Sequence, residues 1–325
     1  MRKLCKLTIV LLAPIAGSAQ TNSYTQTNLV SDVAGMATFT DSHLINPWGL
    51  SRSAGSYWWA ADEKTGVSTL YDGSGNIQSL VVTVPAAHRN KVGTPTGTVE
   101  VGGNFVFVSI DGTISQWSGG TSAVIEVNNS KNSAVYTGCT AAMNGDVETI
   151  YAVNKKTGVE AYTTAFTPIT LAPGAFQDPS IPSGYPTYGI QAVGSNIYVT
   201  YSGAAGAGGY VDVFDTAGTL LLSFEQGKFD QPWAIAQAPA GWGKFQNAIL
   251  VGNVAGGKIG AYAAATGQFL GYLENTSKKP IAIPGLWALY FGAGNSASGP
   301  TSSLYFVAGI DNYKHGLFGT ITANN

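Results

Sequence analysis

NPWGL at 46–50, QPWAI at 231–235 and GLWAL at 285–289 are nearly the same phrase written three times. Each places a tryptophan directly before a small residue and then an apolar one. Working outward from the small residue, the chain aligns with itself at six places: Gly49, Gly97, Gly138, Gly189, Ala234 and Ala288. Each follows Trp, Thr or Tyr, and the steps between them are 48, 41, 51, 45 and 54 residues. A period of roughly 40 to 50 residues leaves room for about four strands per unit, which is the pattern of propeller blades.

The units share one grammar. After the small residue comes an apolar strand: SYWWAAD (56–62), NFVFVSID (104–111), TIYAVN (149–154), NIYVTYS (196–202), AILVGN (248–253) and SLYFVAG (303–309). A turn and a third strand follow, as in GVSTLYD, GTISQWS, GYVDVFD and GLFGTIT. Several units add a Gly turn and a fourth strand, for example YDGSGNIQSLVVTV (71–84) and FDTAGTLLLSFE (214–225). The last unit runs out after its third strand, and YTQTNLVSD (24–32) is otherwise unused. The expected architecture is therefore an all-β, six-bladed β-propeller of four-stranded antiparallel blades. Its ring is closed by the N-terminal strand pairing into the last blade, which removes the open edges of a linear array.

Composition agrees. Only 10% of the 325 residues are charged and 42 are Gly. Gly disfavours helices, while the recurrent Val, Ile, Thr, Tyr and Trp suit a pleated surface. The small residue is expected where inner strands crowd the axis. The aromatic before it, in Trp48, Trp233 and Trp287, is expected to pack between adjacent blades.

The first nineteen residues stand apart. Arg2, Lys3 and Lys6 precede an apolar run from Leu7 to Ala16, and Gly17-Ser18-Ala19 offers a cleavage site, so 1–19 reads as a signal peptide and 20–325 as a single propeller domain. The run is too short to span a bilayer. Cleavage would leave Cys139 as the sole cysteine, with no intramolecular disulfide, and place the protein in the periplasm or outside the cell. The leader holds three cations and no acids, so the formal charge of −2 becomes −5 without it. With no Lys/Arg cluster, neither nucleic acid nor an anionic membrane surface is an expected partner.

NIYVTYS...GYVDVFDTAGTLL resembles an NHL-type propeller repeat. More broadly, NLVSD...TDSHLINPWGLS, TGVSTLYDGSG, APAGWGKFQNAILVGN and HGLFGTIT look like an uncharacterised family of secreted bacterial six-bladed propellers, over about Asn28 to Thr322. The Asn-x-Arg usual in the second turn of the NHL repeat is missing here, replaced by Thr65-Gly66, Thr157-Gly158 or Gly257-Lys258. The resemblance implies the fold and leaves the activity open.

Propeller topology brings the loop before each inner strand and the loop between second and third strands to one face. The first set offers His43, Asn46, Thr94, Tyr185, Asp230 and Gln231; the second offers Asp62, Glu63, Asp111, Asn154, Lys155, Ser202, Asn253 and Asp311. The tunnel-mouth candidates are His43, Asn46, Asp62, Asp111, Asn154, Asn253 and Asp311. Two readings of this ring stand open: the side chains bond their own turns, or some converge on a hard cation such as Ca²⁺, with Asp62 and Asp311 the first candidate ligands. No H-E-x-x-H or G-x-S-x-G occurs. Cys139 in YTGCTAAM reads as a buried core thiol. Asp212 and Asp215, three apart on a strand, point to opposite faces. GAAGAGG (203–209) lacks the Lys-Ser/Thr of a phosphate loop.

The leading functional expectation is a secreted, non-catalytic binding or interaction propeller, monomeric, presenting one loop-rich face to a protein, glycan or small polar ligand. The alternative is a metal-assisted hydrolase or lactonase-like enzyme at the tunnel mouth. A structural envelope protein is the third.

Overall fold

The computed structural model describes residues 23–324. The expected leader lies outside them. Six antiparallel sheets are arranged in a ring. Their inner strands are Pro47–Ser51, Pro95–Val101, Tyr136–Asn144, Thr187–Val193, Pro232–Gln237 and Leu286–Phe291. In the first five blades the strands follow in chain order from the axis outward. In the sixth, the N-terminal strand Tyr24–Ser31 pairs antiparallel with His315–Ala323, with Tyr24 opposite Ala323 and Ser31 opposite Leu317. The ring closes as the unused segment implied. One addition was not foreseen: Phe39–Thr40 pairs parallel with Val30 and Ser31, so this blade has five strands.

Burial explains the pattern of the strands. The second strands Trp58–Asp62, Ile249–Asn253 and Ser303–Gly309 are buried at every position because neighbouring blades cover both of their faces. That is why they read as unbroken apolar runs. The outer strand Val124–Asn128 alternates between exposed and half-buried. The apolar clusters lie between blades: Trp59 with Phe107, Ile150 with Val106, and Tyr151 with Val199 each bridge two sheets.

The repeated phrase encodes a β-bulge. In all six inner strands the register slips at the same place, between Pro47 and Gly49, Pro95 and Gly97, Tyr136 and Gly138, Thr187 and Ile190, Pro232 and Ala234, and Leu286 and Ala288. The extra residue is the one before the aligned small residue in five of them, Trp48, Thr96, Thr137, Trp233 and Trp287, and in the fourth blade Tyr188 and Gly189 together oppose Thr200. A bulge re-aims a side chain. The small residue is required because the next blade's backbone lies against it. A Cβ on Gly49 would stand 2.7 Å from Thr98 N, and one on Gly97 2.6 Å from Cys139 N. In the three tryptophan blades the residue opening the phrase has left-handed φ: 49° at Asn46, 55° at Gln231 and 73° at Gly285.

Candidate functional site

The face on which the inner strands begin is the upper one. Strand register shows which residues are equivalent there. Asp62 lies opposite Pro47, Ser109 opposite Pro95, Asn154 opposite Tyr136, Tyr201 opposite Thr187, Asn253 opposite Pro232 and Ala308 opposite Leu286. Asp111, Ser202 and Asp311 sit two, one and three residues farther into their turns.

Each candidate has its own local partners. Asn154 Oδ1 accepts from the Val135 and Lys156 N–H groups, at 3.2 and 3.1 Å. Asn253 Oδ1 accepts from Asp230 N at 2.8 Å while its amide donates to Lys258 O. Asp111 takes the Ala87 N–H on one oxygen and the Thr113 hydroxyl on the other. His43 Nδ1 stands 3.0 Å from Asp41 Oδ1, and Asp41 Oδ2 accepts the Tyr71 hydroxyl. Asp311 is exposed, with Lys314 Nζ at 3.7 Å. Asn46 is buried, accepting the Trp287 indole N–H at 2.9 Å and donating to Glu63 Oε2 at 2.9 Å. The structure joins Asn46 to Glu63 and His43 to Asp41, and holds the rest in separate turns.

Asp62 is fully buried, with the Thr69 hydroxyl on Oδ2 and no partner on Oδ1 among the described residues. Burial pushes its carboxyl well above the usual carboxylate range; the Thr69 bond opposes this and the nearby Asp41 adds to it. Such an environment favours the neutral acid, whereas a hard cation needs charged oxygens. Among the described residues, no group of three or more His, Cys, Asp or Glu is placed to hold a metal ion. Cys139 is buried, and burial pushes its thiol far up, as a core role requires.

The bulge residues close the upper end of the tunnel. Trp48 and Trp287 stack with ring centroids 3.7 Å apart, and Trp233 meets Trp287 edge-on at 6.2 Å. Trp48 reaches Tyr188 on the opposite blade at 6.5 Å, and the Trp233 indole donates to Thr137 O at 3.0 Å, two blades away. The tryptophans thus pack across the axis as well as between neighbours, which the expectation of inter-blade packing did not include. The bulge is the reason: it turns them inward.

The lower end is open, and all six blades contribute to it. Two adjoining cavities of about 160 and 140 Å³ share Arg52, Gln191, Ala192 and Tyr290. The first continues over Val193, Ile235, Leu289 and Phe291; the second over Thr98, Glu100 and Thr140. A narrow void leads inward from Gln191 and Tyr290 to Trp233, so the aromatic plug forms its floor. Arg52 is held by bonds from Nε and Nη2 to Phe291 O (3.1 and 2.7 Å) and from Nη1 to Ser53 O, and its guanidinium lies 5.4 Å from both the Trp58 and Tyr290 ring centroids. Burial lowers its proton affinity, and the neighbouring Tyr290 raises it.

Sequence reasoning did not single out this mouth. Its signal lies two or three residues after five of the six aligned small residues, where Arg52, Glu100, Gln191, Gln237 and Tyr290 interrupt otherwise apolar or small inner-strand ends.

No family model matches the chain. Two uncharacterized proteins of Acanthamoeba polyphaga mimivirus are similar to it, at 28% identity covering 90% of this chain and 78% of the viral protein, and at 24% covering 90% and 84%. These relatives are viral, so the bacterial membership expected from the sequence is not supported by them. Among solved structures the chain is similar to a streptogramin B lyase, with 12% identity, coverage of 93% and 97% and a TM-score of 0.54. It is also similar to virginiamycin B lyase from Staphylococcus aureus, with 12% identity, coverage of 92% and 99% and a TM-score of 0.53. The WD40 propeller domain of Doa1 follows at 8% identity, coverage of 92% and 96% and a TM-score of 0.50. Identities this low establish the propeller fold, which lyases and WD40 domains share, and nothing about activity.

Proposed function

We propose that this chain is a non-catalytic binding propeller whose ligand enters the lower mouth of the tunnel. The observation that carries the reading is the contrast between the two ends. The upper end is filled by stacked tryptophans, and most of its candidate polar groups, Asn46, Asp111, Asn154 and Asn253 among them, are engaged by neighbouring backbone or side-chain groups. The lower end is a concave site that combines apolar walls with a few polar groups, the usual make-up of a small-molecule pocket. Export by the 1–19 leader, with cleavage after Ala19, is part of the proposal and is checked by the N-terminal mass of the secreted chain.

The test is a small-molecule melting-shift panel on the purified mature chain and on two variants. Gln191→Trp fills the lower mouth, and Asp311→Trp alters the upper one. Stabilising compounds are expected to lose their effect with Gln191→Trp, to keep it with Asp311→Trp, and to be recovered chemically unchanged. The reverse pattern of losses, or turnover of the bound compounds, overturns the reading.

A further inference from the structure

We propose that the lower mouth takes a small zwitterion of the amino-acid class, with its carboxylate on Arg52, its ammonium on Glu100 and its side chain against the apolar wall. This rests on the reading of the lower mouth as the ligand site and adds the chemistry of the ligand.

The cation comes first. A guanidinium carries five N–H donors in a rigid fork. In Arg52 three bonds anchor the group to the carbonyls of Phe291 and Ser53, so Nη1 and Nη2 each retain one N–H. Among the described residues Arg52 has no ion-pair partner; the ion pairs present join other residues. A half-buried cation without a counter-ion is unfavourable, and a carboxylate is the group whose geometry suits the fork.

The anion lies on the same cavity. Glu100 accepts the Gly103 N–H on Oε1, and its Oε2 is bonded to nothing among the described residues. It does not pair with Arg52, so the cavity holds one charge of each sign, each with free hydrogen-bonding capacity. A purely anionic ligand would meet repulsion from Glu100, and a purely cationic one from Arg52; a zwitterion satisfies both. The Tyr290 hydroxyl, also without a hydrogen bond among the described residues, faces both charges, which act on it in opposite directions. The apolar remainder, Val193, Ile235, Leu289 and Phe291, suits a small aliphatic side chain.

The experiment is calorimetric titration of the mature chain with L-leucine, L-leucinamide, which lacks the carboxylate, and N-acetyl-L-leucine, which lacks the ammonium. L-leucine is expected to bind saturably, and each analogue at least ~10-fold more weakly, the scale of about 1.4 kcal/mol. Arg52→Lys, which keeps the charge and loses the fork, is expected to weaken the preference over the amide. Glu100→Gln is expected to erase the preference over the N-acetyl compound. Because Arg52 also ties the first blade to the sixth, Glu100→Gln keeps the test independent of folding. Equal affinity for the three compounds, or a preference unmoved by Glu100→Gln, overturns the zwitterion assignment and leaves the lower mouth as the site. No saturation by L-leucine up to ~10 mM also overturns it. L-leucine binding equally to Gln191→Trp would instead show that the mouth itself was misplaced.

Discussion

Trp48 and Trp287 lie face to face, 15° from parallel, and only one of them has a hydrogen-bond partner for its indole N–H. Trp287 donates to Asn46 Oδ1, whereas Trp48 Nε1 has no acceptor among the described residues. Replacing either by Ala removes a buried aromatic from the plug and is expected to cost about 3–5 kcal/mol. The Phe variants separate the two. Trp287→Phe also leaves Asn46 Oδ1 buried without its donor, adding about 1–3 kcal/mol that Trp48→Phe avoids. Urea unfolding of the four variants checks the order.

Ring closure rests on the N-terminal strand. Tyr24 is buried, its hydroxyl accepts the Phe245 N–H at 3.2 Å, and its ring packs 4.6 Å from Trp242. A chain beginning after Ser31 would lose its pairing with His315–Ala323. It is expected to lose cooperative melting, and a synthetic peptide of residues 23–32 is expected to restore it when added in excess, as ligand linkage requires. Calorimetry with and without the peptide reads the effect.

Asp212 is buried with Oδ2 unpartnered, and burial pushes its carboxyl up to about 6, with a Ser223 bond opposing the shift and the nearby Asp178 adding to it. A carboxyl raised in the folded state binds protons more tightly there than when unfolded. Its contribution to stability is therefore present below the ordinary aspartate value of 3.8 and is lost as pH rises through about 6. Asp212→Asn removes that titration. Its stability relative to the parent is expected to rise across this window, by on the order of 2 kcal/mol, and to level off above it. Denaturation at a series of pH values measures the difference.

Glu160 behaves oppositely. Burial alone would raise its carboxyl, yet the hydroxyls of Tyr136, Tyr162 and Thr157 and the amide of Asn154 supply four bonds of 2.7–2.8 Å and hold it below the usual range. Its stabilisation is present at neutral pH and is lost as pH falls through that lowered value. Tyr136→Phe and Tyr162→Phe are each expected to cost about 1.5–3 kcal/mol, the worth of a bond to a charged group. The double variant is expected to depart from the sum because the two hydroxyls also bond each other at 3.1 Å.

The fold was legible because a propeller repeats its grammar, and the small residues at Gly49, Gly97 and Gly189 are demanded by close backbone contacts with the next blade. The bulge was not legible, since the phrase shows a Trp beside a Gly without showing that the register slips between them. Asp111, Ser202 and Asp311 sit at different depths in their turns because turns of different length follow strands that end at different residues. Arg52 and Glu100 were passed over for a related reason. They lie at the ends of inner strands on the face that motif-based reading leaves aside, and their significance comes from two adjacent blades lining one cavity, which no local spacing records.

The most direct measurement of the central claim is where a ligand sits. A crystal of the mature chain soaked with a set of small polar fragments is predicted to show density bounded by Arg52, Gln191 and Tyr290, with the tryptophan plug unmoved. Density confined to the upper turns around Asp111, Asn253 or Asp311, with the lower mouth unoccupied, would contradict it.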